Sequence, residues 1–290
     1  MYPPLWARLL RLYGQRFPIL RGKAHLVRWA YHRLPKLIRP VDAPINGDIW
    51  MELWPWLWAD FCTYVMDSPE AYHLHYFKSR ISRRSVVFDI GAYIGVYSLG
   101  AGRIAVEGEV HAFEPDPRSA GRLARAIEVN GLKNVHLSQC AVADEKAELT
   151  LVLQEYPPMS SIKCSPPSHQ VLQENLETIP VSVCTVDEYC TANDISNIDF
   201  MKIDVEGAEL LMLKGAFNTI TAFRPELMVE LHERQSQNFG YSIQDTISHL
   251  QVLKYELLDV TFGLTKPHLT PFNYDIDSHQ SRHIVIALPV

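Results

Sequence analysis

The chain has 290 residues and a mass of 33.1 kDa, and its 47% hydrophobic and 21% charged residues exclude a disordered or fibrous protein. No run of 18 apolar residues occurs, which excludes a conventional membrane-spanning helix. The net charge of −6 conceals an asymmetry: residues 1–41 hold nine of the 27 Lys and Arg and no Asp or Glu, leaving 18 basic against 33 acidic residues in the rest.

That acidic body argues against a nucleic-acid partner, whose phosphates need a basic surface. Arg8, Arg11, Arg16 and Arg21 interrupt the first 30 residues, which therefore lack the apolar stretch of a secretory signal. Cysteines 62, 140, 164, 184 and 190 are odd in number and have no CxxC spacing, against both a disulfide framework and a zinc site. A cytoplasmic location is the expectation.

Residues 1–48 read as a basic helical extension, broken by Pro18, Pro35 and Pro40. Leu5, Leu9, Leu12 and Tyr13 recur at roughly helical spacing among arginines. Such a helix either lies on an anionic membrane surface or packs one face on the body. Residues 49–84 form a Trp-rich cap, with Trp50, Trp54, Trp56 and Trp58 within nine positions. The cluster suits stacking on sugar rings, a membrane interface, or a packed sub-core over a domain edge.

Residues 85–290 alternate strands and helices. Strands are predicted at 85–90, 109–113, 135–140, 148–153, 181–185, 199–204, 226–232, 252–260 and 283–288. Asp116 caps a helix opened by Pro117 and ended at Asn130-Gly131, and residues 207–214 form another. Residues 154–180, with Met159-Ser160-Ser161, read as an irregular lid. The pattern implies an α/β fold with a doubly wound, mostly parallel sheet, which binds ligands beyond the carboxyl ends of its strands.

Those ends carry the chemistry. The first strand ends in Asp89-Ile90-Gly91-Ala92-Tyr93-Ile94-Gly95, the second in Glu114, and later ones in Lys202, Asp204 and Glu206 and in Glu230 and His232. A glycine turn lets a ligand approach the backbone, and a carboxylate on the next strand suits the two hydroxyls of a ribose. The glycines are spaced G-x-x-x-G rather than G-x-G-x-x-G, and the acidic rim would repel a diphosphate, which opposes a dinucleotide oxidoreductase. A cofactor carrying a sulfonium and an ammonium, such as S-adenosylmethionine, suits the rim better. Plainer readings stand beside these: glycines that merely allow a turn, Asp204 and Glu206 as helix caps, and Glu230 with His232 as a satisfied strand-end pair. Asp204, Glu230 and His232 also suit a divalent cation, so metal assistance is a variant.

The runs Phe88–Gly95, Ala112-Phe113-Glu114-Pro115 and Ile198–Glu209 resemble the FkbM-type methyltransferases. Cys140-Ala141-Val142, Thr185-Val186-Asp187-Glu188 and Glu230-Leu231-His232-Glu233 support the resemblance, which covers roughly residues 50 to 290. It implies a seven-stranded, Rossmann-like class I methyltransferase sheet with an antiparallel last strand at 283–288. It also implies S-adenosylmethionine as cofactor and methylation of a hydroxyl on a sugar, polysaccharide or natural product. Cofactor contacts are expected at Asp89, Gly91, Ala92 and Gly95, at Glu114 on the ribose, at Ala141 and Val142 near the adenine, and at Asp204.

For catalysis, His232 is expected as general base with Asp204 placing the hydroxyl, and Glu230 is a further candidate. The chain departs from the family pattern at Tyr93, where Asn is common, implying an altered cofactor loop or a contact to substrate. The competing reading is a catalytically silent, cofactor-binding or membrane-associated scaffold.

Overall fold

Apolar runs become strands and polar caps start the helices between them, in a chain that the computed structural model describes at residues 3–16, 23–35, 37–153, 161–163, 177–262, 267–274 and 282–290. Helices α1 (Leu5–Arg16) and α2 (Lys23–Arg33) precede a hairpin of β1 (Val41–Ile45) and β2 (Ile49–Leu53), then α3 (Trp58–Met66) and α4 (Ala71–Arg80). The main body follows as β3 (Val86–Ile90), α5 (Val96–Ile104), β4 (Glu109–Phe113), α6 (Pro117–Val129), β5 (Val135–Ser138) and β6 (Ala141–Val142). Next come β7 (Ala147–Val152), β8 (Ser161–Lys163), β9 (Thr178–Cys184), α7 (Val186–Ala192), β10 (Phe200–Ile203), α8 (Glu209–Gly215) and α9 (Phe217–Phe223). The chain continues through β11 (Glu226–His232), α10 (Glu233–Gln237), α11 (Ile243–Val252), β12 (Tyr255–Phe262), β13 (Pro267–Pro271) and β14 (Arg282–Pro289).

The central sheet has the order β13-β12-β14-β11-β10-β3-β4-β5. From β5 to β11 all neighbours are parallel, and β14 inserts antiparallel between β11 and β12. This is the expected α/β doubly wound, Rossmann-like class I methyltransferase sheet. It carries one strand more than the seven expected, because β13 folds back on β12 as an added edge. Strand order reverses between β3 and β10, which places the switch point at Gly91 and Asp204.

Local chemistry explains the boundaries. β10 and β11 are buried at every position, as strands covered on both faces must be. Asp116 accepts from the Arg118 N–H and caps α6 with Pro117 at its first position, and Ser242 and Asp245 form a reciprocal capping box on α11. One apolar core lies under α3 to α6, a second under α7, α8 and α11, and a smaller one between β6, β7 and β9.

Two features depart from the sequence reading, and a third expectation falls largely outside the described residues. The extension is helical over α1 and α2, but the β1–β2 hairpin pairs residues on both sides of position 48. The strands near 148–153 and 181–185 leave the central sheet and form a separate one, β6-β9-β7-β8. The expected lid lies largely outside the described residues, of which β8 and the start of β9 are the described part. The tryptophan cluster packs locally: Trp54 stacks on Trp56 at 5.5 Å, and the Arg122 guanidinium lies 4.4 Å above Trp54.

Candidate active site

A cavity of about 370 Å³ opens at the carboxyl ends of β3, β4, β10 and β11. Its floor is the turn after β3. Gly91 adopts φ +79°, and a Cβ there would lie 1.7 Å from the Asp204 carbonyl oxygen. Only glycine lets the two strand ends come this close. Ala92 lines the floor, whereas Asp89 and Gly95 shape it from behind.

Asp89 is fully buried, accepts from Ser98 Oγ at 2.5 Å and lies 3.5 Å from Lys202 Nζ. Gly95 turns the chain into α5 with φ +86° against Leu123. The structure therefore puts neither Asp89 nor Gly95 on the cavity wall, because the turn itself covers them.

One end of the cavity holds Glu114, flanked by an apolar slot of Phe113, Ala141, Val142 and Leu151. Glu114 Oε2 accepts the Tyr93 N–H at 2.7 Å, and Oε1 accepts the Asp116 N–H at 2.8 Å. Burial pushes its carboxyl up to about 7 despite those two donors. Cys140 also borders this end, with its Sγ 3.4 Å from Cys184 Sγ, a contact that cysteine spacing did not reveal.

The other end is a charged cluster. His232 Nδ1 lies 3.0 Å from Glu209, and its Nε2 faces Glu230 at 3.2 Å, Glu206 at 3.7 Å and Asp204 at 3.9 Å. Burial opposes the imidazolium, yet the Glu209 and Glu230 carboxylates outweigh it and push His232 up to about 12. The neutral His232 expected of a general base is not what this environment holds.

Burial, then the Asp204 charge, pushes Glu230 up to about 8, and burial lifts Glu206 to about 7. Lys202 donates to the Gly91 carbonyl at 2.7 Å and to Asp204 at 3.2 Å. It is buried, but Asp204 and Asp89 hold it above the ordinary lysine range. Asp204 is the carboxylate of this cluster most open to the cavity, with 27% of its side chain exposed against 17% for Glu206, 5% for Glu230 and none for Glu209.

Sequence reasoning missed the third wall. Trp58, Thr63, Ser68 and Glu70, from α3 and the loop before α4, face the strand ends across the cavity. Tyr97 Oη donates to Glu70 at 3.0 Å, and Arg282 on β14 contacts both Glu70 and Glu230. Tyr93 reaches the same wall, where its hydroxyl meets Asp60. No sequence motif marks Glu70 or Arg282, since neither belongs to a strand-end signature. Among the described residues, Asp204, Glu230 and His232 are a group with metal-ligand proximity, their ligand atoms within 4.8 Å of one another.

Residues 89–257 match the family model of the methyltransferase FkbM domain. Three curated relatives align over about half the chain. "Methyltransferase 1" of Beauveria bassiana (strain ARSEF 2860) is 27% identical over 45% of this chain and 58% of its own length. "31-O-demethyl-FK506 methyltransferase FkbM" of Streptomyces tacrolimicus is 28% identical, covering 51% and 65%. "2-O-methyltransferase NoeI" of Sinorhizobium fredii (strain NBRC 101917 / NGR234) is 26% identical, covering 48% and 60%. The chain thus spans about three fifths of the length of the relatives it matches.

Proposed function

We propose that this chain, which belongs to the FkbM methyltransferase family, is an S-adenosylmethionine-dependent O-methyltransferase that acts on a hydroxyl of a sugar, polysaccharide or natural product. The observation that carries the reading is the cavity at the β3–β10 switch point, with a ribose-type carboxylate at one end and an excess of acid at the other. The names of two relatives specify O-methyl chemistry, which favours oxygen as the nucleophile.

The residues present fit the cofactor. Glu114 would accept the ribose hydroxyls, because each of its oxygens accepts one N–H and has a further lone pair. Ala141, Val142, Phe113 and Leu151 offer an apolar slot for a flat base. Asp204 and Glu206 would face the positively charged amino-acid end, and Gly91 lets the β3 turn sit directly against the Asp204 backbone there. When bound, the cofactor supplies an electrophilic methyl group for in-line displacement.

This chain's share of the work is alignment, exclusion of water and removal of one proton. Alignment alone supplies on the order of 7–11 kcal/mol in well-oriented systems. Asp204 is placed to accept that proton as the most exposed carboxylate of the cluster, whereas the carboxylates around His232 favour its imidazolium. In this reading His232 is a positioning residue, balancing Glu209, Glu230 and Glu206 so that Asp204 stays available.

A divalent cation at Asp204, Glu230 and His232 is a second reading, supported by the 4.8 Å clustering of their ligand atoms. It would assist by acidifying the acceptor hydroxyl. Turnover undiminished by a chelator removes this reading.

The test of the main reading is calorimetric titration with S-adenosylhomocysteine, with NADH as control. Saturable binding of the first alone, lost in Glu114→Ala, supports it; binding of NADH alone overturns it. A scaffold that retains the pocket would bind but never turn over any hydroxyl acceptor.

A further inference from the structure

Helix α1 packs on the body with its small residues and Leu10 and turns its other three leucines outward. Ala7 and Gly14 are buried, and a Cβ on Gly14 would lie 2.1 Å from the Val65 carbonyl oxygen on α3. Arg11 reinforces this inner face by donating to the carbonyls of Tyr64 and Pro44. On the opposite face Leu5, Leu9 and Leu12 are 67%, 56% and 51% exposed. Spacings of four and three residues place them in one stripe along the helix. Exposed Arg8 and Arg16 border that stripe, and α2 adds exposed Leu26 and Trp29 beside exposed Arg28 and Arg33.

One exposed leucine needs no explanation, but an aligned row of three does. We propose that α1 is an interfacial anchor that lays this protein on an anionic lipid surface, with Leu5, Leu9 and Leu12 among the acyl chains and Arg8 and Arg16 at the headgroups. Charge selects this occupant. Residues 1–41 carry nine basic and no acidic side chains, so the same face of a second copy would oppose arginine to arginine. An anionic bilayer satisfies both halves of the pattern, apolar contact below and negative charge at the level of the guanidinium groups. No helix among the described residues is long and apolar enough to cross a membrane, and the contact proposed lies along its surface.

This inference goes beyond the methyltransferase reading and does not need it, since the readout is partition and not turnover. The experiment is flotation of the full chain with vesicles of phosphatidylcholine alone and of phosphatidylcholine containing a third phosphatidylglycerol. The wild type partitions at least about tenfold better onto the anionic vesicles, given the worth of each basic residue near such a surface, and added salt reverses the gain. The variant Leu5→Ser/Leu9→Ser/Leu12→Ser loses at least about tenfold in partition with an unchanged thermal melt. Should that variant melt early, Arg8→Glu/Arg16→Glu keeps the apolar stripe and still abolishes the preference for anionic vesicles. Failure of the wild type to bind anionic vesicles overturns the proposal. So does equal partition of wild type and variants, or a lipid-free dimer that the leucine variant dissociates.

Discussion

The hydroxyl of Tyr93 donates a 2.5 Å hydrogen bond to the Asp60 carboxylate and so ties the turn after β3 to helix α3. The Tyr93 N–H donates at the same time to Glu114, from a backbone in the left-handed region at φ 51°. Asp60 is fully buried, contacts Arg122 and accepts the Trp54 N–H at 2.7 Å. Tyr93 thus links the turn after β3 to the third wall of the cavity.

Tyr93→Phe removes that bond and leaves Asp60 with its other partners. A hydrogen bond to a charged group is worth about 1.5–3 kcal/mol, so the melting temperature falls by several degrees. Asp60→Ala costs more, about 3–5 kcal/mol, because it leaves the Arg122 charge buried without its carboxylate. Calorimetric melts of the two variants and their double mutant measure the coupling; strict additivity of the losses contradicts the tether.

Glu114 gives S-adenosylhomocysteine binding a pH dependence. Only the ionised carboxylate offers both oxygens as acceptors, and burial sets its pKa at about 7 in the empty cavity. Affinity therefore rises as pH increases from 6 towards 8, by about tenfold per unit on the acid side of that pKa. Glu114→Gln flattens the profile and weakens binding by about 10²-fold. Titration calorimetry across this range checks both.

Asp204 and His232 separate by phenotype. Asp204→Asn lowers turnover by about 10²–10⁴-fold, as for a lost general base, while product affinity changes far less. His232→Ala removes the buried group that Glu209 and Glu230 hydrogen-bond and costs about 3–5 kcal/mol of stability. Full stability with lost turnover in His232→Ala would restore the imidazole to the role of base.

Stability without cofactor follows from the raised carboxyls. Glu114, Glu206 and Glu230 bind protons more tightly folded than unfolded, with pKa values pushed up to about 7, 7 and 8 from 4.5. Their stabilising protons are fully present below about pH 4.5 and are lost as pH rises towards 8. The His232 contribution runs from its unfolded value of 6.5 to about 12, so it stays nearly constant below 6.5 and declines only at higher pH. The melting temperature of the cofactor-free chain therefore falls between pH 5.5 and 8. Glu230→Gln reduces the slope.

The strand ends were legible because their chemistry is local. Gly91 after an apolar run, Glu114 closing the next strand and Asp204 closing β10 all follow from hydrophobic pattern plus a turn residue. The pairing of β1 with β2 was not, since Pro44 and Asn46-Gly47 punctuate a stretch too short to show alternation. The protonation of His232 depends on Glu209, which sits 23 positions away and faces it only because α8 follows β10. Spacing alone could propose that imidazole as a base; the carboxylates around it, which favour the imidazolium, come from elements that spacing does not bring together. The third wall was equally hidden, because Trp58 and Glu70 belong to a segment without a family signature.

Arg282 touches Glu70 and Glu230, and the first of those contacts joins residues 212 positions apart. The ring around the cavity therefore closes only when β14 slots between β11 and β12. Contacts of such separation form late and slowly, after the loop entropy of the intervening chain has been overcome. On the ribosome, helices α3 and α4 emerge long before β14 exists, so the turn after β3 and its neighbours must wait with an open side. A nascent chain of this protein therefore has a complete pocket only after β14 has been made and has paired with β11 and β12.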